Sequence, residues 1–255
     1  MKIFKNKKDL INTISEFKNV AFVPTMGSLH KGHLSLISKA KKETKNVLVS
    51  IYVNPKQFNN ASDFKKYPKN ISKDIRILKN KKIKFLFLPS YRDIYQFNSK
   101  NKIYMAPYSK ILCGKFRKGH FKGVVDVVNR FLEIVNPKTI YLGMKDYQQL
   151  RLIKDHIKKN DIKTKVKECK IIRERSGIPF SSRNLRLSKK QKVIASYIYS
   201  YLKKNKKVIF ELCLKNKKKI IIKKLLNLGI NKVEYLECIN INKIKIAKSK
   251  IKKFN

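Results

Sequence analysis

Apolar residues along the first two thirds of the chain alternate between short unbroken runs and helical spacing. Val20-Ala21-Phe22-Val23-Pro24 is a run closed by turn residues and predicts a buried strand. Leu34, Ile37 and Ala40 recur at helical spacing within 32–43. The runs at 46–53, 85–89, 139–142 and 165–172 predict four more strands. Between them, Ile71, Ile75 and Leu78 mark a helix over 71–81. Val124, Val127, Val128, Phe131, Leu132 and Val135 mark another over 121–135, and a third is read over 147–158. The stretch from Pro89 to about Gly119 reads as loop. Strands alternating with helices predict β-α-β units and a parallel sheet, with ligands bound outside the strands' carboxyl ends.

From Ser176 onward the pattern changes. Helices are expected over 188–203, opened by a Ser cap, and over 215–228, ended by Gly229. Segments 233–239 and 244–251 are candidate strands. The predicted fold class is therefore α/β: a Rossmann-like parallel sheet domain over 1–175, and a smaller α+β domain over 176–255.

Composition changes this picture little. The formal charge of +47 suggests polyanion binding. However, only nine of the 63 basic residues are Arg, and the lysines scatter without forming a stripe. Abundant Lys, Asn and Ile with scarce Gly and Pro is the signature of AT-rich codons. No specific nucleic-acid partner is expected, since no stacking platform or recognisable module accompanies the charge. No apolar run approaches the ~18–20 residues of a membrane span. The opening Met1 to Lys8 lacks the apolar stretch of a secretory signal, so a cytoplasmic location is expected. The four cysteines form no C-x-x-C pair, which supports neither a zinc knuckle nor a redox motif.

Glycine is scarce enough to be informative. Seven of the eight glycines, and three of the four histidines, fall in the segments that carry chemistry. His30-Lys31-Gly32-His33 sits where a strand turns into a helix, so free N–H groups and a positive dipole end suit phosphate. Protonated or hydrogen-bonding imidazoles there can stabilise charge during displacement. A metal pair is the rival reading, but no third ligand has suitable spacing. Asn54 and Gln57, closing the second strand, can hydrogen-bond a hydroxyl or carboxylate. Lys145 after the fourth strand can neutralise phosphate, and Asp146 can hold a ribose hydroxyl or a hydrated Mg²⁺. Gln149 faces the same way one turn on. Phe180-Ser181-Ser182-Arg183-Asn184 offers two hydroxyls and a guanidinium for a second phosphate clamp.

The ordered segments PTMGSLHKGH, VSIYVNPKQF, DFKKYP, RKGHFKGVVDVVNRF, YLGMKDYQQL and SSRN resemble the pantothenate synthetase (pantoate–β-alanine ligase) family. That family is a branch of the H-I-G-H nucleotidyltransferase superfamily. The match runs from about residue 20 to 190. The resemblance implies ATP-dependent condensation of D-pantoate with β-alanine through a pantoyl adenylate, releasing pyrophosphate and AMP. By motif it makes His33 the catalytic histidine, with His30 and Lys145 acting beside it. Met26, Gly27, Ser28, Leu29, His30, Lys31, Gly32 and His33 form the first ATP segment, and Gly143, Met144, Lys145 and Asp146 the second. Ile172, Phe180, Ser181, Ser182 and Arg183 complete the nucleotide site. Gln57 and Gln149 hold pantoate, with Gln57 also near the β-alanine site. Mg²⁺ is expected on ATP, and a homodimer joined through the N-terminal domain is implied. Lys31 stands where the family usually has an acid, and Met144 where it has Glu. The C-terminal part is shorter than the family's, which implies a trimmed lid and impaired closure and turnover.

Overall fold

The computed structural model describes residues 1–241 and 244–246. Six strands pair in parallel: β1 (Lys2–Phe4), β2 (Ala21–Thr25), β3 (Val47–Ile51), β4 (Phe85–Phe87), β5 (Thr139–Gly143) and β6 (Lys165–Cys169). Their order is β1-β4-β3-β2-β5-β6. The chain leaves β2 in one direction for β3 and β4, then returns to lay β5 and β6 on the other side. The reversal between β2 and β5 makes the crevice where ligands bind in such sheets.

Eight helices accompany the sheet: α1 (Lys7–Ile14), α2 (Lys31–Glu43), α3 (Ala61–Lys65), α4 (Ile71–Asn80), α5 (Tyr91–Tyr95), α6 (Cys113–Phe116), α7 (His120–Val135) and α8 (Tyr147–Lys159). Period-2 alternation in the strands feeds two cores. Phe22, Leu48, Phe85, Phe87 and Ile140 pack under α1, α7 and α8. Val23, Val47, Val49, Leu86 and Tyr141 pack under α2 and α4.

Backbone pairing explains the crevice. β2 and β3 are in register over five residues, from Ala21↔Val47 to Thr25↔Ile51. β2 and β5 pair only at Ala21↔Thr139 and Phe22↔Ile140. Ala21 donates to Asn46 on the β3 side, and the Thr25 carbonyl accepts from Tyr52 on that same side. Alternation then turns the backbone of residue 24 toward β5. Residue 24 is proline, which has no N–H to extend that ladder. The two strands part where the proline stands.

Several expectations are corrected. The hydrophobic pattern does not predict β1 and α1; a three-residue strand among lysines carries no periodic signal. The stretch expected as loop holds α5 and α6. The fifth predicted strand ends at Cys169 rather than Ile172, because its partner β5 ends at Gly143, in register with Cys169. Beyond Phe180 come α9 (Lys189–Lys204), α10 (Lys206–Leu214) and α11 (Lys219–Asn227). Ser188 caps α9 in a capping box with Gln191. The pattern does not predict α10, and α11 starts four residues later than expected. These helices share a small core of Ile209, Ile221 and Leu225. The strand expected at 233–239 is confined to β7 (Ile239–Asn240), which pairs antiparallel with β8 (Lys245–Ile246). Val233 and Leu236, three apart, both pack on the small core, a spacing no strand allows. Residues 247–251 of the last predicted strand lie outside the described residues. No helix among the described residues is long and apolar enough to cross a membrane.

Candidate active site

The turn after β2 is built by side chains that replace strand bonds. The Thr25 hydroxyl donates to the Ser50 carbonyl (2.8 Å) and accepts from Gly27 N–H (3.1 Å). Gly27 and Ser28 then take successive positive φ values of 78° and 50°. Asp74, buried on α4, accepts from the N–H groups of Ser28 (2.7 Å) and Leu29 (2.8 Å). This loop delivers His30 as the N-cap of α2, with no side-chain cap bond. The first-turn N–H groups of α2 therefore remain available to an anion.

The His30 and His33 rings stack with centroids 3.9 Å apart and an interplanar angle of 20°. Gly32 makes the stack possible, since a Cβ there would sit 2.9 Å from His30 Cε1. Nδ1 of both rings is shielded and has no hydrogen-bond partner. Each ring is left to meet a ligand through Nε2. Burial, then the neighbouring His30 and Lys145, push the His33 imidazole down to about 3. Burial and Lys145 lower His30 as well. At neutral pH both rings are uncharged hydrogen-bonding groups.

Facing this pair across the cavity are Gly143, Lys145 and Asp146 from the end of β5, and Phe180 to Arg183 from the loop before α9. Lys145 Nζ pairs with the Asp146 carboxylate at 3.0 Å. The Phe180 ring lies 6.1 Å from that of His30. Ser182 Oγ donates to the Ser28 carbonyl (3.2 Å), tying this loop to the first segment. Arg183, expected on phosphate, donates instead to both oxygens of Asp63 on α3, at 3.3 and 2.7 Å. Arg186 reaches the same carboxylate at 2.7 Å. This clasp joins segments 120 residues apart in the chain.

The bonds from Arg183 and Arg186 bring the Asp63 carboxyl down from 3.8 to about 2. A lowered acid stabilises the fold above its ordinary value, and that contribution is lost as pH falls through the folded value. The difference in melting temperature between wild type and Asp63→Asn is therefore expected to hold from pH ~7 to ~5 and to shrink below about pH 4. A difference that stays constant to pH ~2 would place the carboxylate outside the clasp.

Gln57 and Gln149 line the same cavity. Asn54 is buried, donating to the Gly123 carbonyl (3.1 Å) and accepting from Tyr95 OH (2.9 Å), and so fixes the turn that carries Gln57. Gln57 Nε2 rests on Met26 Sδ at 2.9 Å. Ile172, Met26 and Gly32 also line the cavity. Gly27, Ser28 and Leu29 form its supporting frame instead. Lys31 is exposed, and Met144 packs against the core beneath α7.

The sequence assigns no role to Asp63, Asp74, Arg117 or His120, yet all four shape the site. Arg117 and His120 line the cavity from the turn before α7 and from its first residue. Among the described lining residues, Lys145, Lys170, Arg117 and Arg183 are cationic and Asp146 alone is acidic. That balance suits a polyanion. No cluster of three His, Cys, Asp or Glu among the described residues could enclose a metal ion.

Comparison with known proteins places the chain. A family model described as pantoate-beta-alanine ligase matches residues 2–254. The chain is 43% identical over 243 residues to a bifunctional pantoate ligase/cytidylate kinase of Prochlorococcus marinus, covering 91% of this chain and 47% of that protein. It thus spans about half the length of that relative. It is 44% identical over 204 residues to a pantothenate synthetase of Francisella tularensis subsp. novicida, covering 79% of this chain and 77% of that one. Among solved structures, a pantoate-beta-alanine ligase from Francisella tularensis, complexed with beta-gamma ATP and beta-alanine, superposes with a TM-score of 0.83 at 39% identity. That match covers 94% of this chain and 90% of the other. Pantothenate synthetase from Thermus thermophilus gives 0.88 at 28% identity, covering 98% and 91%.

Proposed function

The chain belongs to the pantoate–β-alanine ligase family of carbon–nitrogen ligases, and from that premise we propose that it condenses D-pantoate with β-alanine, driven by cleavage of ATP. The observation that carries the reading is the stacked His30–His33 pair at the bare N-terminus of α2, facing Lys145 across a cationic cavity. A carboxylate is inert to amines until one of its oxygens becomes a good leaving group. The pantoate carboxylate attacks the α-phosphate of ATP, forming pantoyl adenylate and releasing pyrophosphate. The amine of β-alanine then attacks the acyl carbon, and AMP departs.

In this reading the α2 N–H groups, His30, His33 and Lys145 stabilise charge on the phosphates as the first displacement proceeds. Ile172 and residues 180–183 hold the nucleotide, which requires Arg183 to exchange Asp63 for phosphate. Gln57 and Gln149 orient pantoate. Mg²⁺ carried on the nucleotide would neutralise phosphate charge, and Asp146, the lining carboxylate paired with Lys145, would be the group to meet its waters. The C-terminal part, 176–255, acts as a small lid. The family resemblance also supports a homodimer joined through the sheet-bearing part.

The deciding measurement is AMP release with ATP and D-pantoate, with and without β-alanine. AMP release is expected to require pantoate and to turn over only when β-alanine is present. Release that depends on neither substrate would overturn the reading.

A further inference from the structure

One imidazole lining the cavity, His120, has no task in the activation of pantoate. His120 opens α7 and is only 5% exposed. Its Nδ1 lies 2.7 Å from the backbone carbonyl of Gln57. A ring nitrogen facing a carbonyl oxygen at that distance carries the hydrogen and donates it. In the uncharged ring the lone pair is then on Nε2. No protein partner meets Nε2 among the described contacts, and the residue lines the cavity. The carbonyl that fixes the ring belongs to Gln57, whose side chain is the amide set on pantoate. His120 is thus anchored beside the acyl end of the site, whereas His30 and His33 stack against the phosphate end.

The surroundings keep this nitrogen available. Burial is the main influence, and Arg117 and Arg183 add to it, while the Gln57 carbonyl and Asp146 oppose it; the net effect brings the imidazole down to about 4. At neutral pH the ring is an acceptor at Nε2, with no proton of its own to release there.

We propose that His120 Nε2 is the proton acceptor for the amine in the second half-reaction. The proposal rests on the ligase reading and extends it to a residue that the motif comparison leaves without a role. The amine nitrogen forms its bond to the acyl carbon, and the bond from that carbon to the phosphate oxygen breaks. AMP leaves with the electron pair. The nitrogen becomes strongly acidic as it bonds to carbon, and its surplus proton passes to Nε2 and then to water. A weakly basic imidazole suffices, because the transfer occurs after the nitrogen has gained positive charge.

His120→Asn tests this, because its amide can still donate to the Gln57 carbonyl while the basic nitrogen is lost. Three rates are compared in wild type and variant: pantoate-dependent ATP–pyrophosphate exchange, pantothenate formation from β-alanine, and hydroxamate formation from hydroxylamine. Hydroxylamine is uncharged at neutral pH and sheds its surplus proton easily, so it needs little help from a base. The variant is expected to keep exchange and hydroxamate formation but to lose about 10²–10⁴-fold in β-alanine transfer. Unchanged transfer from β-alanine would overturn the proposal. So would a hydroxamate rate that falls in parallel with it, or a loss of exchange, since either marks a general structural effect. Absence of pantoate-dependent exchange in wild type would instead remove the ligase reading itself.

Discussion

His33→Ala is expected to abolish adenylate formation while leaving the fold intact. The ring is held uncharged by burial and by His30 and Lys145, so its contribution is a directed hydrogen bond from Nε2, not a mobile proton. Donors fixed in advance toward developing charge are worth about 10²–10³-fold in rate each. His33 shares its stack with His30, so alanine also removes the surface that orients the second imidazole. The loss should therefore reach or exceed the upper end of that range. Stability should change little, because Nδ1 of His33 is a shielded polar atom with no partner and deleting it relieves a desolvation cost. Pyrophosphate exchange and thermal melting, measured on one preparation, separate the two effects. Wild-type exchange in the variant would take His33 out of the mechanism. A collapsed melting curve would make it a structural residue.

The second large effect is expected at Gly123→Ala. Gly123 lies on α7 where that helix crosses the turn Pro55–Gln57. A Cβ there would fall inside the contact distance of the Lys56 carbonyl and 3.0 Å from Gln57 Cα. Both obstacles are backbone and cannot swing aside. Alanine in a helix interior would ordinarily gain ~0.5–1 kcal/mol over glycine. Overpacking against a rigid neighbour costs ~1–3 kcal/mol, so the net change should be destabilising. The helix can relieve the clash only by lifting off the turn. That shifts Gln57 and breaks the bond from Asn54 to the Gly123 carbonyl. A displacement of about 1 Å at a positioning residue can cost ~10²-fold in rate. A denaturation midpoint equal to wild type, with unchanged turnover, would refute this close approach.

Legibility in the sequence follows locality. The runs that become β2 to β6 carry their pattern within a few residues, and helix α7 announces itself by six apolar positions on one face. The Pro24–His33 turn is readable because strand, glycines and histidines are contiguous. Gly143, Lys145 and Asp146, neighbours at the end of β5, line the cavity together. What stays hidden depends on distant partners. Asp74 supports the histidine loop from 45 residues away, and Asp63 takes the guanidinium of Arg183 across 120. Nothing within either short segment signals such a contact. His120 is visible as a scarce histidine beside a glycine, but its orientation follows from a bond to a carbonyl, which residue type cannot reveal. The Ser188 cap marks the start of α9, but beyond α9 the apolar residues are too evenly spread to mark boundaries, and α10 goes unread.

The proline in β2 reaches beyond the opening it creates. Because residue 24 offers no hydrogen toward β5, the sheet consists of two panels, β1-β4-β3-β2 and β5-β6, riveted at only two registered pairs. Just before those pairs Lys138 N–H donates to the Val20 carbonyl at 3.0 Å; past Phe22 the registered pairing of β2 with β5 stops. A molecule lying across that seam, held by α2 on one panel and by Gly143 to Asp146 on the other, becomes a cross-brace that the polypeptide does not supply. Heat resistance and occupancy are then coupled, since ligand that binds only the assembled panels raises stability by RT ln(1 + [L]/Kd). Melting temperature is therefore expected to rise as the crevice fills.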